Sequence, residues 1–66
     1  MRWACIKPHD DRVAPEVIQI PTTTDSNVVV ENFQRTLASR GRITSVTWQV
    51  VDGTVIDAMI AVAKLV

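Results

Sequence analysis

The sequence predicts an α+β fold, in which a small antiparallel sheet carries one helix on one of its faces. Three observations lead to this prediction. Valine and isoleucine, whose branched side chains suit pleated strands, far outnumber leucine. A polar cluster at residues 22–27 precedes a stretch with helical spacing, and an Asp-Gly pair separates two β-branched runs near the C-terminus. At 66 residues, the chain is expected to form one domain, residues 1–66.

Two short strands are predicted in the first third of the chain. The first, β1 over residues 2–7, has alternating apolar and polar side chains and is followed by Pro8. The second, β2 over residues 17–20, lies between Pro15 and Pro21. Because proline has no N–H to donate to a neighbouring strand, the second run is predicted to be an edge strand.

A helix is predicted over residues 27–39. Asp25 or Ser26 is placed to cap its first turn, and Gly41 is placed to end it. The apolar side chains are spaced three and four residues apart, which puts them on one side of a helix: Val30, Phe33 and Leu37.

The C-terminal third is predicted to form a β-hairpin, with β3 over residues 43–51 and β4 over residues 54–63. Asp52-Gly53 suits a two-residue type I′ turn, which requires positive φ at both central positions. One sheet face of such a hairpin would seat the helix, and the other would be too apolar to face water alone. We therefore predict an interface on that second face, formed by Ile43, Thr47, Val51, Ile56, Ile60 and Val62.

Residues 54–66 also fit a helix. Their apolar side chains recur with helical spacing, and Thr54 with Asp57 resembles a capping box. Periodicity does not decide between the two structures for so short an apolar run. We favour the strand because the Asp-Gly turn and the preceding strand require a partner.

A helix followed by the run Val46 to Val50, a turn, and the run Ala58 to Ile60 resembles the layout of a family of very short sporulation proteins and similar small accessory proteins. The resemblance covers residues 27–62. It implies a compact sheet with one helix and a β-hairpin, and it implies no activity.

Composition argues against several classes of partner. Seven basic residues balance seven acidic ones, so no net charge attracts the chain to nucleic acid. No apolar run is long enough to span a bilayer, and the charged N-terminus does not resemble a signal peptide. With its single cysteine, Cys5, the chain is expected to be cytoplasmic, without membrane contact.

Few residues of this chain are candidates for catalysis or for binding a metal or a phosphate. Cys5, His9, Asp10 and Asp11 are close in sequence, yet their spacing is not that of a structural zinc site or of a Cys–His catalytic pair. Two glycines are too few for a phosphate-binding loop. We therefore expect no catalytic residue, no metal and no cofactor, and Cys5 is expected to be a small buried apolar residue.

The predicted function is that of a homo-oligomeric interaction module that binds a protein partner through its apolar sheet face. A core this small needs a supplement to be stable, and self-association is the supplement that the composition permits. By analogy, adaptors, inhibitors and structural subunits, including accessory proteins of viruses and mobile elements, have this size and layout. The alternative is an oligomer that binds a small anionic, nucleotide-like ligand at a subunit interface, through Trp3, Arg35, Arg40, Arg42 and Trp48.

Overall fold

The computed structural model describes all 66 residues and has two helices and three strands. In chain order these are β1 (Arg2–Pro8), β2 (Glu16–Ile20), α1 (Ser26–Ser39), β3 (Val46–Asp52) and α2 (Val55–Ala63). The strands form one antiparallel sheet in the order β2-β1-β3. The predicted α+β class is therefore confirmed, with one strand fewer and one helix more than expected.

Strand β1 is the centre of the sheet, and its register with both neighbours fixes which side chains share a face. Ala4 is opposite Ile18 on β2 and Val50 on β3, whereas Cys5 is opposite Val17 and Gln49. The even-numbered residues of all three strands thus lie on one face and the odd-numbered ones on the other. The prediction that residues 17–20 form an edge strand is confirmed.

Helix α1 packs on the even-numbered face and builds the larger part of the core. Its buried residues are the three that the spacing predicted, Val30, Phe33 and Leu37. They pack against buried side chains of the sheet, which are Ala4, Ile6 and Ile20. Asp25 is the N-cap of α1, although its side chain makes no capping hydrogen bond, and Gly41 follows the helix with a φ of 75°.

Residues 54–63 do not form the predicted strand β4, because residues 55–63 form helix α2. Asp52 does not have the positive φ that a type I′ turn requires, so the Asp-Gly pair connects a strand to a helix. A local interaction and a tertiary interaction both favour the helix over the strand. Thr54 and Asp57 form a capping box that starts α2, and β3 finds its partner in the distant strand β1.

Helix α2 covers the odd-numbered face of the sheet, which the hairpin prediction had left bare. It approaches closely because the facing side chains are small: Cys5 and Ala58 are both completely buried, and the Cys5 Sγ donates to the Ala58 carbonyl oxygen at 3.4 Å. The predicted six-residue interface is consequently divided. Thr47 and Val51 lie on the sheet face under α2, whereas Ile56 and Ile60 lie on the exposed side of α2 itself.

Candidate protein-association surfaces

The outer side of α2 is an exposed apolar surface, which we call the α2 surface and define as Ile56, Met59, Ile60 and Ala63. The three large side chains are 64%, 58% and 52% exposed, respectively. They are spaced as i, i+3 and i+4, on the side of the helix opposite Ala58, its one buried residue. Asp57 is the only charged residue of α2. A helix that is apolar nearly all round is usually buried on all of its sides.

Two charged residues of opposite sign lie along one edge of the α2 surface. Asp57 is near the beginning of α2, and Lys64 caps its end. Asp57 accepts hydrogen bonds from the Thr54 backbone N–H and hydroxyl, both at 3.0 Å, and these bonds lower the pKa of its carboxyl group. The carboxylate is therefore charged at neutral pH and favours the positive end of the helix dipole.

The outer edge of β3 is a second candidate surface, because it carries unpaired backbone groups. His9 N–H donates to the Ser45 carbonyl at 2.9 Å, and Gly53 N–H donates to the Met1 carbonyl at 2.7 Å. In an antiparallel ladder hydrogen-bonded pairs alternate, so the odd-numbered residues of β3 bond to β1. The N–H and C=O groups of the even-numbered residues therefore point away from the sheet, and we call these groups the β3 edge: Val46, Trp48, Val50 and Asp52.

The side chains of the β3 edge lie on the face that α1 packs against; Val46 packs against the core, whereas the three that follow it are exposed. Trp48 is 39% exposed and Val50 is 40% exposed. A two-residue hairpin turn at Asp52-Gly53 would pair Trp48 with Asp57, but the structure separates Trp48 from Asp57. The Trp48 side chain lies on the α1 side of the sheet, whereas Asp57 belongs to the helix on the other side.

The five residues predicted for an anionic ligand are dispersed in a single chain. Trp3 lies on the α2 side of the sheet, where its indole Nε1 donates to the Gly53 carbonyl at 2.9 Å, and Trp48 lies on the opposite side. Arg35 donates to the Asn32 side chain at 2.9 Å, and Arg42 follows α1 in the loop before β3. Only Arg40 of the five lines a cavity near α1.

That cavity is an open groove of about 440 Å³ between α1 and β2. Its apolar floor includes Ile18, Phe33 and Leu37, and Arg40 and Glu16 bring opposite charges to its rim. The groove therefore has an apolar floor beside the positively charged Arg40 side chain, and the Glu16 carboxylate is also on its rim.

The polar residues near β1 form local contacts. Cys5 is buried against α2, and burial raises the pKa of its thiol. His9 contacts Ser45 and Thr47 through its two ring nitrogens, at 2.7 and 2.6 Å. Asp10 forms a bidentate pair with Arg12, at 3.0 and 2.9 Å, which lowers the pKa of Asp10 to about 2. No group of three His, Cys, Asp or Glu side chains is placed to hold a metal ion.

Sequence reasoning named Ile56 and Ile60 but missed Met59 and the β3 edge. The i, i+3, i+4 spacing of the C-terminal run contained the signal for Met59, because that spacing was the reason for the helical alternative. The edge had no local signal. Which strand pairs with which depends on contacts between distant parts of the chain.

The fold and these surfaces define a small α+β protein whose three-stranded antiparallel sheet lies between two helices. Neither α1 nor α2 is long and apolar enough to cross a membrane. Comparison with models of protein families, with curated proteins and with solved structures finds no match to this chain. The resemblance of residues 27–62 to short sporulation and accessory proteins stays a prediction.

Proposed function

We propose that this protein is a small homo-oligomeric interaction module whose copies associate through the α2 surface. The observation that supports this proposal is the exposure of Ile56, Met59 and Ile60, each more than half exposed on a helix that is apolar nearly all round. The partner to which we commit is a second copy of the chain. Among the three roles expected for such a module, self-association fits a structural subunit best.

An antiparallel pairing of two α2 helices suits the residues on this surface. With the two-fold axis near Ile60, Ile56 of one copy lies opposite Ala63 of the other, so that a large side chain meets a small one. The same arrangement brings Asp57 of each copy beside Lys64 of the other. The opposite charges are therefore complementary in the antiparallel orientation, whereas a parallel two-fold pairing would place the charged edges of the two copies on opposite sides of the interface and leave them unpaired.

The composition of the chain also favours association. Nine of the 66 residues are buried, so the core is small. A second copy would remove further apolar surface from water, and each Å² so buried stabilises the assembly by about 25 cal/mol. The formal net charge of zero produces no repulsion between copies.

The proposal is tested by measuring the mass of the protein in solution with size-exclusion chromatography and light scattering. Ile56→Lys places a charge on the most exposed large side chain of the α2 surface, where it would face Ala63 of the other copy, and is expected to halve the mass of the assembly. Ile43→Lys is the matched control, because Ile43 is 89% exposed in the loop before β3 and lies outside α2. Circular dichroism checks that both variants keep their helices.

A parent protein that remains a single 7.3 kDa chain at millimolar concentration would contradict the proposal. Equal masses for the parent and Ile56→Lys would contradict the assignment of the α2 surface.

The groove between α1 and β2 supports a second candidate function, which is the binding of a small anionic ligand. Arg40 is the one predicted ligand residue on its rim, and Phe33 provides an apolar wall. If a nucleotide binds there, it should raise the melting temperature of the parent protein, and Arg40→Glu should remove that rise. Arg35→Glu, on the same helix but outside the groove lining, is the control.

A further inference from the structure

We propose that the β3 edge is a second self-association contact, at which two copies pair their β3 strands antiparallel about Gln49 to form one continuous sheet. This inference deepens the proposed function, since it rests on self-association and adds a contact, a partner surface and a register to it. It depends on backbone geometry that is independent of the α2 surface.

The unpaired backbone groups determine the register. They belong to alternate residues of the β3 edge, which are Val46, Trp48, Val50 and Asp52. A two-fold axis at Gln49 places Trp48 of one copy opposite Val50 of the other, and Val46 opposite Asp52. In both cases the outward N–H and C=O groups of one strand meet those of the other, as hydrogen-bonded pairs require.

The same register also pairs the exposed side chains. Trp48 and Val50 lie on one face of the sheet and are 39% and 40% exposed. In this register the Trp48 side chain of each copy would pack against the Val50 side chain of the other copy. The contact would therefore occur twice, once on each side of the two-fold axis. The one charged residue of β3, Asp52, lies at the end of the strand, so the paired centre contains no charge.

The opposite edge of the sheet shows why β3 and not β2 is the pairing edge. The even-numbered residues of β2 bond to β1, so the odd-numbered positions point outward. Pro15 and Pro21 occupy the outward positions just beyond the two ends of β2 and cannot donate a hydrogen bond. Proteins protect edge strands in this way, and β3 contains no proline and no internal charge.

The two proposed contacts are compatible in one assembly. The β3 edge is lateral to the sheet, whereas the α2 surface points away from it, so a copy paired through one contact leaves the other accessible. Two different two-fold contacts on each chain produce a tetramer or a longer array.

Mass measurements of variants separate the two contacts. Val50→Lys puts a charge on the β3 edge and is expected to reduce the parent assembly to pairs of copies joined by the α2 contact. Val28→Lys is the matched control, because Val28 is also 40% exposed but lies in the first turn of α1. The double variant Val50→Lys, Ile56→Lys is expected to be a single chain.

If Val50→Lys keeps the parent mass, as Val28→Lys does, the edge contact is refuted. The masses of the variants show which of the two proposed contacts is wrong. Without the α2 contact, Ile56→Lys keeps the parent mass and Val50→Lys alone gives single chains. Without the edge contact, these results are reversed.

Amide hydrogen exchange gives a second readout at individual residues. The outward N–H groups of Trp48 and Val50 are expected to exchange slowly in the parent. Val50→Pro removes the outward N–H of residue 50 and leaves the ladder to β1 intact, and in this variant the Trp48 N–H is expected to exchange rapidly. The outward N–H groups of Val17 and Gln19 on β2 should exchange rapidly in both proteins. Rapid exchange of the Trp48 amide in the parent would overturn the proposed pairing.

Discussion

Gly53 is the residue on which the connection between β3 and α2 depends. Its φ of 152° is outside the range that other residues favour, and a Cβ at this position would lie 2.7 Å from the Asp57 Oδ2. Its N–H and carbonyl oxygen are both used, by Met1 and by the Trp3 indole. A glycine is therefore required by the backbone and by the side chain that caps the next helix.

We predict that Gly53→Ala lowers the free energy of unfolding more than Gly41→Ala does, by at least about 1 kcal/mol. Gly41 also has positive φ, but a Cβ there would meet no atom within 4 Å, so the substitution adds backbone strain alone. Urea denaturation of both variants measures the difference. In an Asp57→Ala background the extra cost of Gly53→Ala should shrink, since the clashing carboxylate is gone; an unchanged extra cost would exclude the clash as its cause.

Asp10 is the carboxyl group with the largest predicted response to pH. The Arg12 side chain, and then the Arg12 backbone N–H, donate hydrogen bonds to it and lower its pKa to about 2. Because the folded pKa is below the ordinary value of 3.8, the pair stabilises the fold at pH values above about 4. This contribution is lost as the pH falls from there through 2.

NMR titration of the side-chain carboxyl carbons tests the Asp10 pair. Arg12→Ala should raise the pKa of Asp10 toward 3.8 without reaching it, because the bond from the backbone N–H of residue 12 remains. Arg35→Ala should leave the pKa unchanged, since Arg35 is bonded to Asn32. A pKa of Asp10 that is insensitive to Arg12→Ala would show that the pair does not persist in solution.

At the scale of the element, α2 depends on a local signal at its beginning. Thr54 accepts a hydrogen bond from the Asp57 N–H at 3.2 Å, and Asp57 accepts one from the Thr54 N–H at 3.0 Å. Both residues were recognised in the sequence as a possible capping box, but the Asp-Gly pair before them favoured a hairpin turn. The two local signals were of similar strength, and the distant strand β1 decided between them by pairing with β3.

We predict that Thr54→Ala lowers the free energy of unfolding by about 1 kcal/mol, since it removes the N-cap of α2. Thr23→Ala is the control, because Thr23 is exposed in the turn before α1 and its side chain makes no hydrogen bond. Thermal denaturation followed by circular dichroism measures both. Equal melting temperatures for the two variants would mean that tertiary packing alone holds α2 in place.

At the scale of the whole molecule, the size of the core couples stability to association. Nine buried residues in a chain of 66 leave little margin, and each contact between copies buries apolar surface that the single chain exposes. We therefore predict that the melting temperature of the parent rises by a few °C, on the order of 5, for each tenfold increase in protein concentration.

The double variant Val50→Lys, Ile56→Lys should lose this concentration dependence, whereas Ile43→Lys should keep it. Calorimetry over a hundredfold range of concentration provides the measurement. A melting temperature of the parent that is independent of concentration would contradict association at either surface.

The sequence by itself determined those features that depend on neighbouring residues. The spacing of Val30, Phe33 and Leu37 predicted α1 and its buried side, and Pro15 and Pro21 predicted the edge position of β2. The tertiary structure decided the remainder. Whether residues 55–63 formed a strand or a helix depended on whether β3 paired with them or with β1, and that choice follows from the packing of side chains far apart in the chain. The same choice moved the exposed apolar surface from the sheet to α2 and left the β3 edge without a neighbour.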